Sequence, residues 1–237
     1  MPTRIARRRG LTREHMDRLG LLSQERAGRA WAEECFKRET FAVQVPTTGD
    51  EQLAGQGMWR LVDRDEGLGD TSREALGGLK AMMPTAVHTA GNFSQISDGA
   101  AAVMWASKRT ARALRLRPRA RIVAQALVGA DMRYHLDGPI GATRTVLGKA
   151  GMTLNDIDLV GQRGLRLGGA VLGAGLRPGP AEGQRQRGIA LGHPVGATGA
   201  RLITTALHEL ERADKEFALI VMCADGALAT GTIIQRI

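Results

Sequence analysis

Gly188-Ile-Ala-Leu-Gly-His-Pro-Val-Gly-Ala-Thr-Gly-Ala200 sets His193 among glycines, just before an amphipathic run. Glycines let the backbone close in on the imidazole with little side-chain crowding. Beyond the run, Leu202, Ile203, Ala206, Leu207 and Leu210 fall on one helical face. Phe217 to Met222 is an apolar strand that ends on Cys223, and Thr232-Ile-Ile234 reads as a last strand. A glycine-rich loop, a helix and an apolar strand in that order predict a layered α/β domain. The imidazole and the strand-end thiol can meet across one site, a pairing suited to acid–base work on a thioester or an α-carbon.

Working outward, helical spacing predicts a helix from Thr12, its N-cap, to Cys35, with Met16, Leu19, Leu22, Ala27, Ala30 and Trp31 on it. Phe41 to Val45 alternates and stops at Pro46, as a strand does. A short helix is expected at Arg73 to Lys80, a small strand at Ala86 to Thr89, and a helix from Gly99 to Leu114. Arg121 to Val128 reads as a strand and Ile140 to Ala150 as a helix, and Asp156-Ile-Asp-Leu-Val160 opens a buried strand. Residues 161–187 break the pattern with dense Gly, Arg, Pro and Gln and a single acid, Glu182. A structureless loop of that length is uncommon inside a compact domain.

The 237 residues are enough for one large or two small domains and a substantial core. No apolar run approaches the roughly 20 residues that span a bilayer. The basic start, Met1-Pro-Thr-Arg-Ile-Ala-Arg-Arg-Arg9, is followed by no apolar segment of a secretory signal. Cys35 and Cys223 are the only cysteines, which excludes a disulfide scaffold and a cysteine-rich zinc site and makes a reducing cytoplasm the default. His15, His88, His135 and His208 show no metal-ligand spacing, and His208 is expected on a surface face of its helix. A net charge of +9, from 33 basic and 24 acidic residues, fits attraction of an anionic ligand or surface drift. With aromatics at 3%, it argues against a nucleic-acid binder.

Each residue also has a plainer reading. A histidine after glycine can cap a helix or fill a polar corner. A strand cysteine is more often core than chemistry. Asp98, in Ser97-Asp-Gly99, reads as a turn or helix cap rather than a catalytic acid.

The two glycine-bearing runs, Thr89-Ala-Gly-Asn-Phe-Ser-Gln-Ile-Ser-Asp-Gly-Ala-Ala-Ala102 and Gly188 to Ala200, resemble the thiolase family, the acetyl-CoA acyltransferases. Weaker likenesses lie in Gly10 to Asp17, Ser23 to Ala27, Val62-Asp-Arg-Asp-Glu66 and Gly138-Pro139. Met222-Cys-Ala-Asp-Gly-Ala-Leu228 is most similar to the branch that handles fatty-acid or steroid side-chain thioesters. The resemblance implies an α/β thiolase-like layered fold, here incomplete, with the N-terminal half that bears the nucleophilic cysteine missing. Residues 1–85 would be the loop region, 86–115 the segment closing the N-terminal domain, and 116–237 the C-terminal domain. The implied activity is acyl transfer between a 3-ketoacyl-CoA and coenzyme A. His193 would be general base and oxyanion contact, and Cys223 the proton-transfer residue. Ser94 and nearby Ala90 would lie along the pantetheine arm, and His135 beside the substrate tunnel. On this resemblance coenzyme A would be a substrate, and no metal or bound cofactor is expected. Acyl-CoA is the expected partner, with no nucleic acid and no membrane. A homo-oligomer and association with a full-length thiolase are both open.

Three departures stand beside that resemblance. No second cysteine replaces the family's nucleophile, since Cys35 lacks a small-residue, Gly-rich setting. Asp225 stands where the family's Cys-x-Gly expects glycine, and a carboxylate there would repel developing negative charge unless it points away. Gly161-Gln-Arg-Gly-Leu-Arg-Leu-Gly168 replaces the family's Asn-Glu-Ala-Phe. Written as GGT CAA CGA GGC CTT CGC CTC GGT and read one base later, that stretch becomes Val-Asn-Glu-Ala-Phe-Ala-Ser. Gln184-Arg-Gln-Arg187 likewise becomes Asn-Val-Asn. Residues 161–187 therefore read as a frame-shifted stretch between compensating indels. With the nucleophile missing, the resemblance implies an impaired thiolase or, alternatively, a non-catalytic remnant or pseudogene product, or a partner subunit of an intact thiolase.

Overall fold

The computed structural model describes residues 2–47, 59–84, 86–95, 97–163 and 190–237. Its centre is a four-stranded sheet in the order β3-β6-β5-β4, made of β3 (Ala120–Gly129), β4 (Leu159–Arg163), β5 (Phe217–Ala224) and β6 (Leu228–Arg236). β4 and β5 are parallel, with Leu159 opposite Ala218, and the other pairs are antiparallel. The β5–β6 hairpin pairs Cys223 with Ala229.

Period-two alternation sorts the strand side chains onto two faces. Leu219, Val221 and Ile233 pack with Ala126 against helix α5 (Gly138–Ala150) and its Ile140, Val146 and Leu147. Ala218, Ile220 and Ile234 pack against helix α6 (Thr198–Arg212) through Leu202, Ala206 and Leu210. The predicted α/β layering is therefore a helix–sheet–helix sandwich. At Gly231 helix α5 packs close on β6: a Cβ there would lie 3.0 Å from the Ala142 carbonyl oxygen and 3.1 Å from Val146. Only a glycine lets the helix sit that near the strand.

The remaining elements flank this sandwich. They are α1 (Pro2–Arg8), α2 (Arg13–Ala32), the antiparallel pair β1 (Val43–Pro46) and β2 (Trp59–Val62), α3 (Arg73–Gly77) and α4 (Lys108–Ala113). Thr12 caps α2 as expected, its side chain accepting from His15 N while the His15 ring accepts from Thr12 N. Asn92, fully buried, accepts from Thr89 N and donates to Asp17 Oδ1 (3.0 Å) and the Val87 carbonyl. That one side chain ties the 89–95 stretch to α2.

Five expectations change. Ala86 to Thr89 forms no strand among its described residues and leads instead into a 3-10 turn at Ala90–Asn92. The helix expected from Gly99 begins only at Lys108, where Ser107 supplies an N-cap by accepting from Thr110 N. The apolar run before it has no polar face, and amphipathic packing rather than propensity is what holds a helix. Asp98 is exposed and caps no helix there. Cys35 lies in a turn past the end of α2, and a separate α1 precedes that helix. His208 is not on the surface: its side chain is 11% exposed, against Glu39 from the turn that follows α2. Residues 164–189, which hold nearly all of the frame-shift expectation, lie outside the described residues; Gly161 to Arg163 close β4.

Candidate functional site

Helix α6 starts at Thr198, and the chain leading into it is held by backbone contacts rather than by its own side chains. Ala190 N donates to Ser23 Oγ of α2 at 2.9 Å, and Gln95 Nε2 reaches the Ala190 carbonyl at 3.5 Å. Gly192 N donates to the Asp65 carboxylate. A Cβ on Gly192 would lie 3.0 Å from Asp65 Oδ1 and 3.2 Å from Ser97, so the loop passes where a side chain would have to push both aside. The Pro194 ring lies against Gly99, within 2.9 Å of where a Cβ would be. The two runs singled out in the sequence are thus docked on each other, with His193 between the contact points.

His193 is half-buried, its Nδ1 2.7 Å from Thr198 Oγ1. The hydroxyl in turn donates to the Pro194 carbonyl at 2.8 Å. Ser94 is half-buried and Ala90 exposed, on the stretch whose Gln95, Ser97 and Gly99 touch the histidine loop.

Cys223 closes β5. The connection from α6 to β5 is short, so the strand runs back along the helix and finishes beside its first turn. A Cβ on Gly199 would meet the Met222 methyl at 3.6 Å. His193 and Cys223 therefore lie at the same end of the sheet. Alternation puts Met222 with the α6 cluster and Cys223 with the core on the α5 face. Burial pushes the Cys223 thiol above its ordinary value. Burial thus favours the protonated thiol over the thiolate. Asp225 is exposed, and its carboxylate accepts from Gly226 N at 2.9 Å within the hairpin turn. His135 is half-buried in a 3-10 turn before α5.

Two contributors escaped the sequence reading. Asp65 sits in a stretch already noted, but nothing in Asp63-Arg-Asp65 says which carboxylate meets Gly192. Thr198 lies within the decisive run, yet its reach back across one turn is a tertiary fact. Arg201 of α6 is half-buried, and desolvation holds its guanidinium below its ordinary value, with the Asp65 and Glu39 carboxylates opposing that shift. Among the described residues, no group of three or more His, Cys, Asp or Glu is arranged to hold a metal, and no helix is long and apolar enough to cross a membrane.

Comparison with known proteins bears on this arrangement. Residues 2–109 match the family model of the thiolase N-terminal domain, and residues 185–236 that of the thiolase C-terminal domain. The chain is 40% identical over 236 residues to the steroid 3-ketoacyl-CoA thiolase FadA6 of Mycobacterium tuberculosis, covering 98% of this chain and 55% of that protein. It is 37% identical over 235 residues to the 3-oxoadipyl-CoA/3-oxo-5,6-dehydrosuberyl-CoA thiolase of Escherichia coli, covering 96% and 56%. The crystal structure of the Bacillus anthracis acetyl-CoA acetyltransferase superposes with a TM-score of 0.88 at 26% identity, over 100% of this chain and 59% of that one. The chain thus spans between half and three fifths of the length of these relatives.

Proposed function

Because this chain belongs to the thiolase family, we propose that it carries the proton-moving part of an acyltransferase site for exchange between 3-ketoacyl-CoA and coenzyme A. The docking of the Gly91–Gly99 stretch onto the Ala190–Pro194 loop around His193 carries this reading. His193 takes a proton from the thioester's α-carbon or from a thiol, and its position beside fixed backbone suits it to hold developing oxyanion charge. Cys223, protonated at rest, returns the proton. Ser94 steadies the pantetheine arm and Ala90 lines its path. The 40% identity to a steroid 3-ketoacyl-CoA thiolase supports a substrate from fatty-acid or steroid side-chain β-oxidation. Residues 1–85 act as the loop region, 86–115 close the N-terminal domain, and 116–237 form the C-terminal domain, in a cytoplasmic protein that needs no bound cofactor.

The test is α-proton exchange of acetyl-CoA in D2O, followed by NMR. The chain should accelerate it above buffer, and His193→Ala and Cys223→Ala should each lower the gain by about 10²–10⁴-fold, the usual share of a general acid or base. Exchange that survives both substitutions, or none from the unaltered chain, overturns the reading.

One observation favours a second reading, that of a partner working with a full-length or complementary thiolase chain. Ala100 to Ala106 is an apolar run that forms neither helix nor strand, with Met104 82% exposed and Trp105 50% exposed. Such a stretch suits pairing with another strand. On this reading the chain alone gives no thiolysis of acetoacetyl-CoA, because Cys223 is its one cysteine at that end of the sheet. Turnover above buffer would contradict it.

A further inference from the structure

We infer that Thr198 sets the tautomer and orientation of His193, keeping the proton on Nδ1 and the lone pair on Nε2. The catalytic meaning rests on the acyl-transfer reading, but the geometry stands without it. Thr198 is fully buried, and its hydroxyl has one proton and two close neighbours: His193 Nδ1 at 2.7 Å and the Pro194 carbonyl oxygen at 2.8 Å. A carbonyl can only accept. Two oxygens at 2.8 Å with no proton between them would set lone pair against lone pair. The hydroxyl proton is therefore committed to Pro194, as in the common bond from a helical threonine to the carbonyl four residues back. Oγ1 is left as an acceptor, and Nδ1 must supply the proton.

Were Nδ1 the bare nitrogen, one hydroxyl proton would have to serve two acceptors. The surroundings leave Thr198 little room to choose otherwise. Its β-branched side chain has few rotamers in a helix. The turn beneath it is closed by Ala197 N and Thr198 N, both donating to the Pro194 carbonyl at 3.0 Å. Gly192, the residue before the histidine, is anchored to Asp65. His193 is thus fixed at Nδ1 by the Thr198 hydroxyl, and in the neutral ring this places the lone pair on Nε2. Thr198 is a positioning residue that acts through the imidazole without touching substrate.

The experiment is nitrogen NMR of the His193 ring in labelled protein, above the pH at which the ring loses its charge. In the unaltered chain Nδ1 should give the pyrrole-like signal of a protonated nitrogen and Nε2 the pyridine-like signal of a bare one. Thr198→Val keeps the shape and removes the hydroxyl. It should move the ring toward the Nε2–H form and lower α-proton exchange by about tenfold to a hundredfold, the scale on which losing a partner that orients a histidine is felt elsewhere. Thr198→Ser should restore both. An Nε2–H ring in the unaltered protein overturns the inference even if the valine variant fails to fold, as does a valine variant with unchanged signals. The NMR reads the ring and not turnover. A correct tautomer without exchange would therefore sink the acyl-transfer reading alone, and exchange with the opposite tautomer would sink this one alone.

Discussion

Replacing Glu39 by glutamine should remove a pH dependence from the folding equilibrium worth on the order of 3 kcal/mol between pH 4.5 and 7. Glu39 lies in the turn after α2 and is pressed against α6, with its side chain 4% exposed. Burial raises its carboxyl from 4.5 to about 7, and the charge of Glu209 adds to the shift. The Thr205 hydroxyl, donating to Oε1 at 3.1 Å, and the charge of Arg201 oppose it. His208 Nδ1 stands 3.4 Å from Oε2, but its hydrogen bond goes to the Thr204 carbonyl at 2.9 Å, which leaves Oε2 without one.

The sign runs opposite to that of a salt-bridged acid. Between 4.5 and 7 the folded chain keeps a proton on Glu39 that the unfolded chain has released. The stabilisation is present below 4.5, falls as pH rises through that window, and levels off above 7. Glutamine is neutral throughout and can still accept from Thr205. Urea midpoints of both chains, taken at several pH values by circular dichroism, isolate this group as the difference between them. A difference that stays constant from pH 4.5 to 8 would remove the account.

Leu210→Ala should cost about 2–5 kcal/mol, because the surrounding residues cannot fully collapse into the space left. Leu210 is 0% exposed, on the α6 face that meets Ala218, Ile220 and Ile234. Leu127→Ala on the edge strand β3, where the side chain is 67% exposed, should stay within about 0.5 kcal/mol. Equal losses from the two substitutions would mean that α6 is not packed on the sheet as described.

Helix α6, strands β3, β5 and β6, and the Thr12 cap were legible because each rests on neighbouring residues: one apolar face, an alternation, a hydroxyl three residues ahead of an amide. The His193 loop and the strand that carries Cys223 were legible in the same way, since glycines around a histidine and an apolar strand are local patterns too. Long-range packing settled the rest. Gly99 to Ser107 is helix-like in composition, but a run with no polar face gains nothing from helical periodicity. His208 sits on what the helical pattern marks as an outer face, and the turn bearing Glu39 folds over it.

Asp65, far from His193 in sequence, reaches the amide beside it only through the docking of the two glycine-bearing runs. The one-dimensional pattern specifies which residues want water and which turns are affordable to the backbone. Which donor meets which acceptor depends on two segments closing to within about 3 Å of each other. That closure exists only once the sheet, α6 and α2 have packed.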